Sequence, residues 1–388
     1  MRQAAPRKIC HVLGRLERAG AELRTLELMR QLACPGVQFH VCTISGLPGM
    51  PDGRGGGSLE ADVRNLGGII HPCPMGATFP WQFQRLLRRQ RFDVVHAHLF
   101  YFSGYLLRLA GREGVPVRVA HLRDTQDHHV DGPLRVLRRR LLRHWIQHHA
   151  THILAVSEAA MAAAWRPDWR SDTRCRVIYD GVESGAFAQP ADHEGVRREF
   201  GFQADCPLYL HVGRMAPAKN HARVLAIFGH VVKQQPAARL LLVGRGGNEV
   251  EVRLREQVAR RGFEGLVVMA GERGDVARLL LAADLLLFPS LAEGLPGVVL
   301  EACAAGLPVL ASDLASVQEI AAHFPWVVSL SLTASDQAWA RRAEELRADA
   351  NLAAQRHRAP EAFPASVFGI RRCATSMCEV WGVSPTGT

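Results

Sequence analysis

Residues 284–313 read DLLLFPSLAEGLPGVVLEACAAGLPVLASD. The run 284–290 is short and apolar, as a strand buried on both faces would be. Gly and Pro crowd 291–297, which reads as a loop. An Ala-rich helix follows over 298–306 and is stopped by Gly306. A second apolar run, 308–313, reads as the next strand. Strand, loop, helix and strand in this order make a crossover between parallel strands. In open parallel sheets, ligands bind beyond the C-terminal ends of strands, where loops enter helices.

The same rhythm runs through the chain in both directions. KICHVL (8–13), FHVCTI (39–44), GIIH (68–71), DVVHAH (93–98), VPVRVAH (115–121) and THILAVS (151–157) read as strands. So do LYLHVG (208–213), RLLLVG (239–244) and LVVMAG (266–271). AELRTLELMRQLA (21–33) carries Leu23, Leu26, Met29 and Leu32 at helical spacing. Two sets of such elements, separated by the polar stretch 184–206, predict an α/β chain with two Rossmann-like, doubly wound parallel-sheet domains. The expected boundaries are 1–188 and 189–367, with a C-terminal helix at about 368–388 returning to the first domain. GMPDGRGGGS (49–58) reads as a surface loop.

Charge divides the 388 residues unevenly. Residues 1–188 hold 26 Lys+Arg against 16 Asp+Glu, and 189–388 hold 21 against 21. Twelve of the eighteen histidines also fall in the first half. A basic half and a neutral half imply different partners. The nine cysteines are scattered and form no CxxC pair, which argues against a zinc site or a disulfide framework. No run of about eighteen apolar residues suggests a membrane span, and the N-terminal stretch has no apolar signal-peptide core. A cytoplasmic protein is the expectation.

Two motifs sit at strand ends. After LYLHV come Gly213, Arg214 and Lys219 in a loop that opens a helix. Arg offers a planar fork and Lys a point charge to phosphate oxygens, beside a helix N-terminus that favours anions. A solvated basic loop is the plain alternative. The second motif is the opening stretch. Gly294 and Gly297 leave backbone amides open to a ligand. Glu293 lies in the loop, within reach of a sugar hydroxyl. Glu301 lies about one turn into the helix, where it can accept from a ribose diol. A carboxylate in that apolar run is costly without a partner.

HVGRMAPAKNH, followed by the 284–313 stretch, resembles the retaining GT-B glycosyltransferases of family 4. Glu293 and Glu301 match the family's E-x7-E pattern, and Arg214 and Lys219 its pyrophosphate-binding pair. HVLGRLERAGAE resembles the N-terminal glycine loop, DVVHAH the second acceptor-domain signature, VIYDGVESGAF the domain junction and LLLVGRGG the nucleotide-side loop. The resemblance spans about 8–320. It implies two domains facing across a cleft and a metal-independent hexosyltransferase that uses a nucleotide-sugar, UDP- or GDP-linked, with no other cofactor. Arg214 and Lys219 would neutralise the diphosphate leaving group. The backbone of Gly294, Leu295, Pro296, Gly297 and Val298 would hold the donor's sugar and phosphate, through the amides from Leu295 to Val298. Glu293 would take a sugar hydroxyl and Glu301 the ribose. Gly244 and Gly271 would approach the nucleoside, Gly20 would close a loop on the donor, and His121 would face the donor sugar as a fourth catalytic residue with Arg214, Lys219 and Glu293. Retention would come from front-face attack. The implied acceptor is a glycan or a lipid-linked glycan in cell-surface polysaccharide biosynthesis. Three positions depart from the pattern: Ala19 replaces a glycine, Asp180 an asparagine and Arg245 an acidic residue.

His96 and His98 alternate onto one strand face, but no further ligand is evident for a metal. The basic helix 133–150 carries Leu137, Leu141 and Trp145 beside Leu142 and Ile146, opposite Arg135, Arg138, Arg139 and Arg143. It either buries its apolar face on the first sheet or docks on an anionic membrane surface. No nucleic-acid motif appears. Three other functions remain: a dinucleotide oxidoreductase, which the Glu249 in place of a third glycine disfavours; an epimerase of the same fold; and a non-catalytic nucleotide-sugar-binding scaffold.

Overall fold

The computed structural model describes residues 5–32, 36–45, 59–126, 132–247, 249–352 and 358–384. The 49–58 loop expected from the sequence lies outside them. The chain forms two compact units, Met1–Gly181 with Ile370–Thr388, and Val182–Gly369.

The first unit is built on a parallel sheet ordered β3-β2-β1-β4-β5-β6-β7. Its strands are β1 (Arg7–Leu13), β2 (Val37–Thr43), β3 (Ile69–Pro72), β4 (Val94–Ala97), β5 (Val117–Leu122), β6 (His152–Ala155) and β7 (Cys175–Val177). Val, Ile and Leu dominate the central strands because helices cover both faces. On one face Ile9, Leu13, Phe39, Val41, Val94, Val119 and Leu154 share a core with the helix Ile370–Trp381. That helix turns Cys373, Ala374, Met377, Cys378 and Trp381 inward, the spacing of a single helical stripe. The end of the chain therefore completes the unit that its beginning starts.

On the outside of this unit the helix Pro133–His149 packs on Ser103–Arg112 through Gly104. A Cβ at Gly104 would lie 2.1 Å from the Leu142 carbonyl oxygen, so this contact requires glycine. The close approach fixes the rotation of the basic helix. Leu142 and Ile146 turn inward, while Leu134, Leu137 and Leu141 are 83%, 64% and 45% exposed. The single apolar stripe expected from the sequence is therefore split: Leu142 and Ile146 face the protein, and Leu137 and Leu141 face solvent.

The second unit has a parallel sheet ordered β10-β9-β8-β11-β12-β13. Its strands are β8 (Leu208–Val212), β9 (Arg239–Val243), β10 (Val267–Gly271), β11 (Leu285–Phe288), β12 (Val309–Ser312) and β13 (Val327–Leu330). Arg197, almost fully buried, ties its first helix to the sheet by donating to the Cys206 and Ala282 carbonyls and to Asp284. Asp284 also accepts from the amide that begins β8. In each sheet the first strand has the second on one side and the fourth on the other. The connections leave in opposite directions there, which opens a crevice at the strands' C-terminal ends.

Candidate functional site

In the second unit the crevice lies between β8 and β11. The loop after β8 carries Arg214 and Lys219, and the loop after β11 carries Glu293. Two backbone-level contacts hold these loops together. The Leu291 amide donates to the Ala218 carbonyl at 2.8 Å, and the Asn220 side-chain amide donates to the Pro289 carbonyl at 3.0 Å. Asn220 stands in the left-handed region, φ 53°, a conformation Asn tolerates better than most residues.

Lys219 and Glu293 form an ion pair, with Nζ 2.6 Å from Oε1. The ammonium also lies 5.2 Å from the centre of the Phe288 ring. The aliphatic part of Lys219 runs over Gly213, where a Cβ would come within 3.2 Å of it. Ser290 Oγ is 2.5 Å from the same Glu293 oxygen, and Ser316 Oγ donates to the Glu293 carbonyl. Glu293 is thus held from several sides and orients the lysine. One ammonium hydrogen points to Glu293, and Lys has three to offer. Sequence reading gave Lys219 and Glu293 separate duties; their pairing, and the serines that brace it, were missed. A Ser at the end of an apolar strand carries no signal of its own.

The glycines form the wall beside this pair. The Gly213 amide donates to the Val243 carbonyl, Gly244 to Gly271, and Met215 to Arg245. Gly244 has φ +147°, and a Cβ there would sit 2.0 Å from the Gly213 carbonyl oxygen. Only glycine allows these two loops to touch. Gly271, φ +68°, ends β10. Across the crevice the helix Gly297–Ala304 begins directly after Gly294, Leu295 and Pro296, which are buried. Gly297 and Val298 supply the first amides of that helix, whose N–H groups have no intrahelical acceptor. Glu301 stands half-buried one turn along it, and Arg214 is exposed. An anion entering here would meet a guanidinium, an ammonium, helix-start amides and bare backbone.

Gly20 and His121 belong to the first unit. Gly20 opens the helix Gly20–Gln31, with Ala19 extended before it and nothing within 4 Å of the place a side chain would take. His121 lies near the end of β5, and here the structure brings together more than the sequence suggested. His11 pairs in register with His96, and His96 with Val119, so His11, His96, His98 and His121 share one sheet face. They meet at the β1–β4 crevice, the counterpart of the β8–β11 one. His96 Nε2 is 3.0 Å from His121 Nδ1, and His98 Nε2 is 3.0 Å from His11 Nδ1. Trp381 donates its indole N–H to His96 Nδ1 at 3.1 Å. Arg123 lies 3.5 Å from His98 Nδ1 and pairs with Asp180 at 2.5 Å. The acidic residue that departs from the resemblance at position 180 thus has a cation as its partner. Burial, helped by the Arg123 charge, holds His11 down at about 3 and the other three well below the usual imidazole range.

His11, His96 and His98 also bring three imidazole nitrogens within 4.8 Å of one another. Their geometry fits hydrogen bonding better than metal binding. The facing nitrogens are already paired, a guanidinium stands beside them, and Asp180 is engaged by that guanidinium.

Residues 192–361 match the family of glycosyl transferases group 1, and residues 19–181 match the glycosyl transferase 4-like domain. The chain is 30% identical over 348 residues to EpsF of Bacillus subtilis (strain 168), a glycosyltransferase by name, covering 87% of each chain. It is 27% identical over 320 residues to the capsular polysaccharide biosynthesis glycosyltransferase CapH of Staphylococcus aureus, covering 82% of this chain and 84% of CapH. Among solved structures it resembles Alr3699/HepE of Anabaena, crystallised in complex with UDP and glucose. The TM-score is 0.76 at 18% identity, over 97% of this chain and 99% of that one. At that identity the likeness concerns the fold.

Proposed function

The chain belongs to the glycosyl transferases group 1 family, with its GT-B fold, and from that premise we propose a retaining, metal-independent transfer of a hexose from a nucleotide-diphosphate-sugar to a glycan or lipid-linked acceptor. The observation that carries this reading is the Lys219–Glu293 pair at the β8–β11 crevice, beside the exposed Arg214 and the start of the Gly297–Ala304 helix. As the glycosidic bond breaks, charge builds on the departing diphosphate. Preorganised cations and amides stabilise that charge without reorganising. Glu293 holds Lys219 in place until the diphosphate arrives and accepts from a sugar hydroxyl thereafter. Glu301 receives the ribose. The relatives EpsF and CapH support a place in cell-surface polysaccharide biosynthesis. The UDP seen in HepE makes UDP the first nucleoside diphosphate to try, ahead of GDP.

The test is the melting temperature of the protein with UDP, GDP, ADP and CMP in turn. A ligand that binds only the folded chain stabilises it by about 2.7 kcal/mol at a hundred times its Kd. UDP or GDP should raise the midpoint by several degrees and CMP should not. No shift with any of them would turn the reading toward a scaffold that kept the fold.

We further propose that the lipid-linked acceptor is met at an anionic membrane surface, through the helix Pro133–His149. Leu134, Leu137 and Leu141 form an exposed stripe on it. Beside it, Arg139, Arg140, Arg143 and Arg166 line a cavity of about 520 Å³ that suits phosphate headgroups. Among the described residues no helix is long and apolar enough to cross a membrane, so attachment by this face is peripheral. Each Arg near an anionic surface is worth about 1 kcal/mol. Replacing Arg138 and Arg140 by Ser should therefore weaken binding to vesicles of phosphatidylglycerol by roughly tenfold or more, and Leu137→Asp should weaken it further. Equal sedimentation of variant and parent would rule this surface out.

A further inference from the structure

We infer that Trp381 and Arg123 set the tautomers of the four clustered histidines, so that His121 and His11 each present a neutral Nε2–H to an oxygen of the substrate. The inference rests on the transferase reading for the identity of that oxygen, but not for the tautomers themselves. Those follow from the hydrogen bonds.

An indole N–H can only donate. His96 Nδ1, 3.1 Å from it, must therefore be the bare, accepting nitrogen. A charged His96 would set two N–H groups against each other at that distance. Neutral His96 carries its hydrogen on Nε2 and donates it to His121 Nδ1 at 3.0 Å. His121 Nδ1 is then the acceptor, and its hydrogen lies on Nε2. A guanidinium also only donates. Arg123, fixed by Asp180, faces His98 Nδ1. His98 Nε2–H donates to His11 Nδ1 at 3.0 Å, which leaves the hydrogen of His11 on Nε2. Two chains of donors run in parallel, each starting from a group that has no acceptor capacity.

Both chains end without a partner. His121 Nε2 and His11 Nε2 are buried and make no hydrogen bond among the described residues. The large majority of buried polar groups in proteins are paired, and an exception calls for a reason. Here both sit on one sheet face at the β1–β4 crevice, where parallel sheets bind ligands. A lone pair on a sugar hydroxyl or a phosphate would complete either chain. Trp381 and His96 are then positioning residues for His121, and Arg123 and His98 for His11. The C-terminal helix, 285 residues further along the chain from His96, does more than close the core.

Imidazole ¹⁵N spectra of the full chain give the direct test. All four histidines should show a protonated Nε2 and a bare Nδ1 at pH 7.5. Trp381→Phe keeps an aromatic ring against His11 and His96 but removes the N–H. His96 and His121 should then populate the opposite tautomer, and kcat should fall about tenfold with the melting temperature within a few degrees. If Trp381→Phe fails to fold, His96 supplies the second arm. His96→Gln keeps an oxygen for Trp381 and an N–H for His121, and should recover most of the turnover that His96→Leu loses. Adding UDP-sugar and inorganic phosphate separately distinguishes the oxygen: a hydroxyl moves the His121 or His11 Nε2 resonance only with the sugar present, a phosphate with both.

A wild-type His96 or His121 protonated on Nδ1 overturns the inference, as do equal losses in His96→Gln and His96→Leu. A zinc titration that shifts His11, His96 and His98 together would replace it with a metal centre. If the spectra show the derived tautomers and no transfer is detected with any nucleotide-sugar, the transferase reading fails and the tautomer assignment stands.

Discussion

Lys219→Ala is expected to lower kcat by roughly 100- to 1000-fold, the usual loss when one preorganised donor to a developing oxyanion is removed. The structure adds a complication that a second variant resolves. Glu293 has a side chain only 11% exposed, and its Oε1 takes the ammonium at 2.6 Å. Without Lys219 that carboxylate is left mostly buried with Ser290 as its remaining side-chain donor. Stability should fall by on the order of 2 kcal/mol, less than for a fully buried pair because water reaches both groups. The double variant Lys219→Ala/Glu293→Gln removes the stranded charge. Its melting temperature should return most of the way to that of the parent, while kcat stays low. Recovery of both would mean that Lys219 serves only to satisfy Glu293, and the phosphate assignment would be lost. Near-normal turnover in Lys219→Ala alone would have the same meaning.

The elements of this fold that could be read from the sequence are those with strong local signals. Apolar strands between helices, such as 208–213 and 284–290, appear as β8 and β11 within a residue or two. The strands overlooked were β7 and β13, Cys175–Val177 and Val327–Leu330, both at sheet edges. Edge strands this short carry too few residues for a pattern, and β13 mixes Ser into its run. The basic helix shows a second limit. Periodicity places Leu137, Leu141 and Leu142 near one another, but which of them turns inward is decided by Gly104 on another helix. The two crevices differ in the same way. Arg214, Lys219 and Glu293 are readable because each lies in a short motif next to a strand. The histidine cluster is assembled from β1, β4, β5 and a C-terminal tryptophan, so the sequence marked His96 and His98 as a pair and His121 by resemblance alone, without joining them or pointing to His11. Register, which the sequence does not spell out, puts His11 opposite His96.

That cluster makes acid the sharpest challenge to the first unit. His11, His96, His98 and His121 are neutral when folded, His11 down to about pH 3 and the others well below 6.5. Unfolded, each titrates near 6.5. The folded values are depressed, so below 6.5 the unfolded chain binds more protons and stability drops as pH falls. Above 6.5 their full contribution is present. Each histidine supplies a slope of about 1.4 kcal/mol per pH unit once the pH is well below 6.5. Four together approach about 5.6 kcal/mol per unit, against a typical domain stability of about 5–15 kcal/mol. Burial also depresses His40, His71, His149 and His152 in the first unit, whereas in the second it depresses His211 and His221. Denaturant unfolding between pH 7 and 5 should therefore show the first unit losing stability more steeply, with a midpoint that nears zero denaturant around pH 5. His121→Gln, which can still accept from His96, should reduce that slope by about 1.4 kcal/mol per pH unit. A slope unchanged by His121→Gln would mean that His121 is protonated in the folded chain. Its Nδ1 could then no longer accept from His96, and the chain of donors that begins at Trp381 would be broken at its last link.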